Sequence, residues 1–406
     1  MRVLHLSPTL PWPANSGGRI CVWNQLRIDA RFAEVGLLTF ADVSPDAATI
    51  EALQEYCTEA EIVRRPKSLD GVVGGARSLL TSTAMNLAKY RWPVYSDALQ
   101  SFLDRWSPDL VVAHHLHMGH YLPEVRGTAT ILREHNVDSD LMARYSETLA
   151  NPAMAGFASR QSDQIRNTEA RLCPKVTRCL MITGDDEVKL QELVPEARTA
   201  VLPAAIDPTD YQAVPPPPVD APPLVVAVGS LNFRPTGEGI LYFTEDVWPQ
   251  LRRSFPGARF RIIGECPETL RRRLMAVVGV EVTGRVDVVR PHLEGAHVFV
   301  VPVRAGSGMR IRILEAMAHQ IPLVSTTIGA EGIGVQHERH LLLADTTDDL
   351  ARAVTRVIKE PVLAQTFRRE GRRLVEKAYS VEALAPITER IYRRAIDDAA
   401  ATQGVR

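Results

Sequence analysis

Six prolines crowd into nine residues, 215–223, at the end of "YQAVPPPPVDAPP". Such a run has few backbone N–H groups to offer, so it can be neither a helix interior nor a central strand. It reads as a stiff, extended linker, and the chain on each side of it follows one plan. Ahead of it, the apolar segments "RVLHLSP", "VGLLTF", "AEIVRR", "DLVVAH", "ATILRE", "RCLMIT" and "TAVLPA" are separated by turns and by amphipathic stretches near 70–106 and 137–172. Behind it, "LVVAVG", "RFRIIG", "VEVTG", "HVFVVPV", "IPLVST" and "HLLLAD" do the same, with "GILYFTEDVWPQLRRSF" as one helix. Strands alternating with helices predict a doubly wound α/β unit with a parallel sheet. The expected division is an N-terminal domain over 1–210, the linker over 211–223 and a C-terminal domain over 224–379. A last helix over 380–406, capped by Ser380 and bent at Pro386, is expected to pack back toward the first domain.

Composition narrows the function classes. With 47 basic and 48 acidic residues the net charge is −1, so the basic excess of a general nucleic-acid binder is missing. The cysteines (Cys21, Cys57, Cys173, Cys179 and Cys266) are odd in number and form no Cys-x-x-Cys, which favours reduced thiols in a cytoplasmic setting. Pro8, Pro11 and Pro13 interrupt the apolar start, so no secretory leader is expected, and no apolar run reaches the roughly 20 residues that span a bilayer. The cluster Arg368, Arg369, Arg372 and Arg373 reads as a solvated helix face. A peripheral contact with acidic lipids at the inner face of a membrane stays open.

In open α/β sheets ligands sit at the carboxyl ends of strands, so the loops there are where chemistry is expected. In "VPVRAGSGMRIRILEAMAHQIPLVST" (301–326) an apolar run gives way to Gly306, Ser307 and Gly308, and a helix opens. Helix N-termini bind phosphate, and glycines let a ligand approach the backbone. Eight helical residues rise about 12 Å, which would put Glu315 within reach of the ribose of a nucleotide whose phosphates lie on the turn. The plainer reading is a tight turn with Ser307 as a helix cap. In "PDLVVAHHLHMGH", His114, His115, His117 and His120 fall within seven residues, but no cysteine or His-Glu-x-x-His pattern supports a metal site, and His115 and His120 read as structural. Glu134, His135, Asn136 and Asp138 end another strand in "LREHNVDSD". Asp138-Ser139-Asp140 reads as a chance match to an Asp-x-Asp metal motif. There is no Walker loop and no nucleophile elbow.

The segment "RAGSGMRIRILEAMAHQIPLVSTTIGAEGI" resembles the donor-site motif of glycosyltransferase family 4, retaining enzymes with the GT-B fold. That fold has two Rossmann-like doubly wound domains facing across a cleft. The family usually shows Glu-x7-Glu. Glu315 matches the second glutamate, which the resemblance implies holds the ribose. Ser307 stands where the first glutamate would contact the donor sugar, in a Gly-Ser-Gly-Met-Arg-Ile-Arg form that some members approach. The resemblance implies donor contacts from Gly306, Gly308, Met309 and Arg310. "VAVGSLNFRPTGEGI" resembles the loop whose arginine and lysine grip the diphosphate. Ser230 takes the arginine position, no lysine follows, and Arg234 is the proposed substitute, with Arg310 second.

In the first domain "SPTLPWPANSGGRI" resembles the family's glycine-rich loop, with Gly17 and Gly18 approaching the donor. His114 matches the histidine beside the donor sugar, with His117 as runner-up. Glu134, His135 and Asn136 are implied on the acceptor side. "VLPAAID" resembles the exit from the first domain, and 327–333 would wall the base.

The resemblance thus implies a retaining, metal-independent hexosyltransferase-type enzyme without a cofactor. It would take a UDP-, GDP- or TDP-sugar and a glycan, lipid-linked or small-molecule acceptor. The apolar and aromatic "AMNLAKYRWPVY" offers a surface that could seat an acceptor, helix core being the commoner role for such residues. His114, Glu315 and Arg234 would carry the chemistry. A nucleotide-sugar epimerase of the same fold and an inactive transferase-like scaffold are the alternatives, the missing first glutamate and lysine favouring the latter.

Overall fold

The structure is a computed structural model describing residues 1–65, 84–149, 151–218, 220–306 and 308–403. It divides into two compact units, Met1–Ala205 with the chain from Val381 onward, and Ile206–Ser380.

The first unit is built on seven strands: β1 (Arg2–Ser7), β2 (Glu34–Ala41), β3 (Glu59–Arg64), β4 (Leu110–His114), β5 (Ala129–Glu134), β6 (Arg178–Met181) and β7 (Thr199–Val201). They run in the order β3-β2-β1-β4-β5-β6-β7, all parallel. The chain leaves β1 toward β2 on one side and returns to β4 on the other, so β1 and β4 flank the switch point. Both faces are covered, and that is why the central strands are written as unbroken apolar runs. On one face Leu4, Leu6, Val111, Ala113 and Leu132 meet Tyr95, Leu99, Phe102 and Ile165. On the other, Val3, Leu110, Val112 and Ile131 meet Leu384, Ala385, Tyr392 and Ala395 of the last helix, Val381–Gln403, which contains Pro386.

The second unit has six parallel strands, β8 (Leu224–Val228), β9 (Arg259–Ile263), β10 (Val280–Val282), β11 (Val298–Val301), β12 (Leu323–Ser325) and β13 (Leu342–Leu343), in the order β10-β9-β8-β11-β12-β13. Here β8 and β11 flank the switch point. The helix expected to run unbroken after β8 is instead Arg234–Tyr242, a π-turn over Phe243–Val247 and Trp248–Ser254. Pro249 has no N–H to return to the preceding turn, and the ladder widens there. Gly239 brings the first of these helices onto the end of β11, since a Cβ at that position would stand 2.4 Å from the Pro302 carbonyl oxygen.

Two expectations are corrected in this unit. The segment around 211–223, read as a linker, groups with Ile206–Ser380, and its first residues are tied down. The Val214 N–H donates to the His319 carbonyl (2.8 Å), and the carbonyls of Tyr211, Gln212, Ala213 and Val214 accept from Arg372, His319, Arg290 and Arg368. The basic cluster is therefore not simply a solvated helix face. Arg368 is 4 % exposed and bonds the Val214 and Gln320 carbonyls, both at 2.8 Å, while Arg372 bonds those of Tyr211 and Ala318. These four carbonyls lie outside any sheet ladder, and buried acceptors need donors from somewhere.

Arg368→Met is expected to remove two charge-assisted hydrogen bonds, at a cost of about 2–4 kcal/mol. The result should be a lower Tm and faster amide exchange at Val214, read by hydrogen–deuterium exchange; Arg369→Met, at the neighbouring exposed position, should change neither.

Candidate functional site

In the second unit the candidate residues gather on the loops after β8 and β11. Gly306 and Gly308 have φ of 118° and 80°, a region that side chains avoid, so the loop requires glycine at both. Ser307 lies outside the described residues. The helix does not open at this turn as expected. It runs Ile311–Ala318, with Arg310 in the capping position. Glu315 is thus about 6 Å along the axis from the helix start, rather than 12.

The Glu315 carboxylate is mostly enclosed (side chain 15 % exposed) and already holds two donors: Arg312 Nη1 at 2.6 Å on Oε2 and the Tyr211 hydroxyl at 3.2 Å on Oε1. Each oxygen keeps acceptor capacity beyond those bonds. Glu315 raises the Arg312 pKa, chiefly by its charge, and burial followed by the Glu315 charge pushes the Tyr211 phenol well up, so that it stays a neutral donor. Arg312 could have been found from its i,i+3 spacing to Glu315. Tyr211 carried no signal, because it sits in the segment read as a linker.

The arginines proposed for the diphosphate are held locally. Arg234 Nε bonds Glu238 Oε1 one turn on. Arg310 folds back over the glycine loop, its guanidinium donating to the Gly308 carbonyl, and a Cβ on Gly306 would stand 2.9 Å from Arg310 Nη2. The same Cβ would lie 3.8 Å from the ring of Pro235, so the β8 and β11 loops do adjoin. Ser230 is exposed and Met309 half-buried on these loops. Arg304, not singled out from the sequence, lies 4.3 Å over the Tyr242 ring beside them.

In the first unit Gly17 and Gly18 begin the helix Gly17–Asp29 after the β1 loop, and Gly18 faces His115, whose Nε2 would be 3.6 Å from an added Cβ. His114, the last residue of β4, is fully buried, with Nε2 3.0 Å from His5 Nδ1. His115 has a φ of 64°, the left-handed region, and its ring lies 3.7 Å from that of His135 and 4.9 Å from that of His117, with His117 stacked in turn on Tyr90. His115, read from the sequence as structural, therefore stands in the middle of the cluster, while His120 packs on Tyr121. Burial comes first in keeping these rings neutral. It lowers His115 and His120 to about 4 and, helped by mutual repulsion, takes His114, His117 and His135 well below the ordinary imidazole value. Among the described residues no His, Cys, Asp or Glu group is arranged to hold a metal ion. His5 escaped the sequence reading, being a lone polar residue inside an apolar strand.

Glu134 is 2 % exposed, and neither carboxylate oxygen has a hydrogen-bond partner among the described residues. Burial, then the charges of Asp138, Cys173 and Glu169, push its pKa well up. Burial and Glu169 take Asp138 to about 7. Glu169 accepts from the Ser139 N–H (3.1 Å) and hydroxyl, which tethers the start of the helix Asp138–Glu147. Asp140, the other half of the Asp-x-Asp match, pairs with Arg144 and Lys189. Asn136 is half-buried beside His135.

A carboxyl raised on folding stabilises least once the unfolded chain has ionised. Its contribution is greatest below about pH 4 and falls as pH climbs through 7, the folded value for Asp138. Asp138→Asn should therefore match the wild-type Tm near pH 4 and exceed it by roughly 2–8 °C at pH 8; Glu134→Gln should move in the same direction. Calorimetry across that range checks both.

Residues 222–360 match the family model described as "Glycosyl transferases group 1". Among curated proteins, a 129-residue stretch is 23% identical to an uncharacterized 44.6 kDa protein in the cps region of Klebsiella pneumoniae, covering 30% of this chain and 33% of that one. A 225-residue stretch is 26% identical to a phosphatidylinositol N-acetylglucosaminyltransferase subunit of Arabidopsis thaliana, covering 54% of this chain and 49% of that one. The matches thus span between a third and half of those relatives' lengths.

Solved structures match over nearly the whole chain. Sucrose-phosphate synthase from Thermosynechococcus elongatus superposes with a TM-score of 0.72 at 17% identity, over 97% of this chain and 99% of that one. Anabaena HepE in complex with UDP-glucose gives 0.63 at 14% identity over 100% of both. The fold, two parallel-sheet α/β units, is that of the GT-B glycosyltransferases. No helix among the described residues is long and apolar enough to cross a membrane.

Proposed function

We propose that the protein is a retaining, metal-independent glycosyltransferase of family 4. It would move a hexose from a nucleoside-diphosphate sugar to an acceptor hydroxyl, in the making of a glycan, a glycolipid or a glycosylated natural product. One observation carries the reading. Within the segment that matches the group 1 glycosyl transferase model, a loop with positive φ at Gly306 and Gly308 is followed by a helix whose Glu315 is mostly buried yet keeps acceptor capacity. The likeness to a protein solved with UDP-glucose supports the same donor class.

On this reading Glu315 accepts the ribose hydroxyls, with Tyr211 and Arg312 holding the carboxylate still. The loop from Gly306 to Arg310 approaches the diphosphate, with Ser307 in place of an acidic residue. Arg310 and Arg234 offset the charge that grows on the leaving phosphate, stabilisation delivered where charge develops. Ser230 would line the same loop. The departing phosphate oxygen takes the acceptor's proton on the face it leaves, so configuration is kept. Gly17, Gly18 and His114 serve the sugar, and His117, Glu134, His135 and Asn136 the acceptor.

The test is a thermal-shift screen with UDP, GDP, TDP and ADP on wild type and Glu315→Gln. One diphosphate should raise the wild-type Tm, and the variant should need at least about tenfold more ligand for the same rise, the worth of a charged hydrogen bond. No rise with any diphosphate at millimolar concentration would overturn the reading. Once a donor turns over, the anomeric proton coupling of the first-formed product decides retention.

A further inference from the structure

On the sheet face covered by Gly17–Asp29 and Val381–Gln403, the floor is Val3, Val112 and Ile131. Two residues on, the same three strands place His5, His114 and Arg133 on that face. The parallel register sets His5 beside Val112, one step from His114. The result is a buried line of polar groups. Asp29 Oδ1 accepts from Gln25 Nε2 at 2.8 Å, Asp29 Oδ2 lies 2.9 Å from His5 Nε2, and His5 Nδ1 lies 3.0 Å from His114 Nε2. Asp29, His5 and His114 are each 0 % exposed. The line ends at His114 Nδ1, which has no partner among the described residues.

We infer that Asp29 and His5 are positioning residues that lock His114 in its Nε2–H tautomer, so that the nitrogen left for a ligand, Nδ1, is a hydrogen-bond acceptor. The Asp29–His5 contact is oblique, yet at 2.9 Å a bare nitrogen lone pair facing a carboxylate is repulsive, so the His5 proton resides on Nε2. In a neutral His5 ring Nδ1 is then an acceptor, and the 3.0 Å contact requires His114 to donate from Nε2. His114 cannot escape by charging, because burial above all, with the Arg133 charge beside it, opposes a second proton. Any sugar hydroxyl that reaches His114 must therefore donate to it. This last step alone rests on the transferase reading; the tautomer does not.

The experiment is long-range ¹H–¹⁵N correlation NMR on the full chain labelled at histidine, without ligand, with signals assigned by their loss in His114→Gln and His5→Gln. In wild type, His114 should show a protonated Nε2 and a bare Nδ1. In Asp29→Asn, the new amide offers N–H to His5 Nε2 while its oxygen keeps Gln25, and both rings should switch, leaving His114 protonated on Nδ1. A wild-type His114 carrying its proton on Nδ1, or a tautomer unmoved by Asp29→Asn, overturns the inference. If Asp29→Asn does not fold, the wild-type tautomer decides alone. The nucleoside-diphosphate screen fails or succeeds independently, since its site lies in the other unit. If both hold, Asp29→Asn should bind the nucleotide as wild type does and lose at least tenfold in kcat.

Discussion

The interaction on which the first unit depends is the burial of one carboxylate. Asp29 ends the first helix on the inner side of a seven-stranded sheet, where it is 0 % exposed. A carboxylate taken out of water there costs several kcal/mol unless donors replace the lost hydration. Gln25 supplies one from the same helix. His5 Nε2 approaches the other oxygen to 2.9 Å from β1, and the Tyr392 hydroxyl adjoins from the last helix, its own pKa driven well up by burial and the Asp29 charge. The guanidinium of Arg133, 1 % exposed on β5, adds attraction on the same face. A helix near the start of the chain, two strands and a helix near its end are thus tied to one charge. Removing any single partner would leave the others buried and short of a contact.

The second unit solves a different problem with the same logic. Residues 211–214 carry carbonyls that lie outside its sheet. Arginines from Pro361–Ala378 and from the turn after β10 supply donors, and Tyr211 at the head of that segment comes to rest on Glu315. Anchoring the segment and orienting the proposed ribose acceptor are one arrangement. An arginine suits this work because its fork donates to two carbonyls at once and stays charged when half-enclosed.

What could be read from the sequence follows from how each feature is encoded. The strands were legible because a parallel strand covered on both faces is a continuous apolar run, as "DLVVAH" and "HVFVVPV" show. Glu315 stood out as a lone acid on an apolar helix. The helix start did not, because positive φ at Gly306 and Gly308 leaves the chain non-helical until Ile311, whereas Gly-Ser-Gly looks like a helix cap. Arg368 and Arg372 looked solvated because a helix's own sequence does not show which distant carbonyls lack partners. His5 and Asp29 were hidden for a related reason. Their meaning lies in the register that brings β1 beside β4, and spacing along the chain does not contain it.

The two switch points share a plan and differ in charge. Beside β8 and β11 the loops present arginines and glycine backbone, an inventory suited to phosphate oxygens. Beside β1 and β4 they present imidazoles that burial keeps neutral, with Glu134 held toward its protonated form. Neutral rings offer hydrogen bonds without a net field, so they suit hydroxyls and would give a diphosphate little. On the transferase reading, the loops beside β8 and β11 suit a nucleoside diphosphate, and those beside β1 and β4 suit hydroxyls. In that case the tautomers of the histidines, rather than their charges, would set which hydroxyl patterns fit.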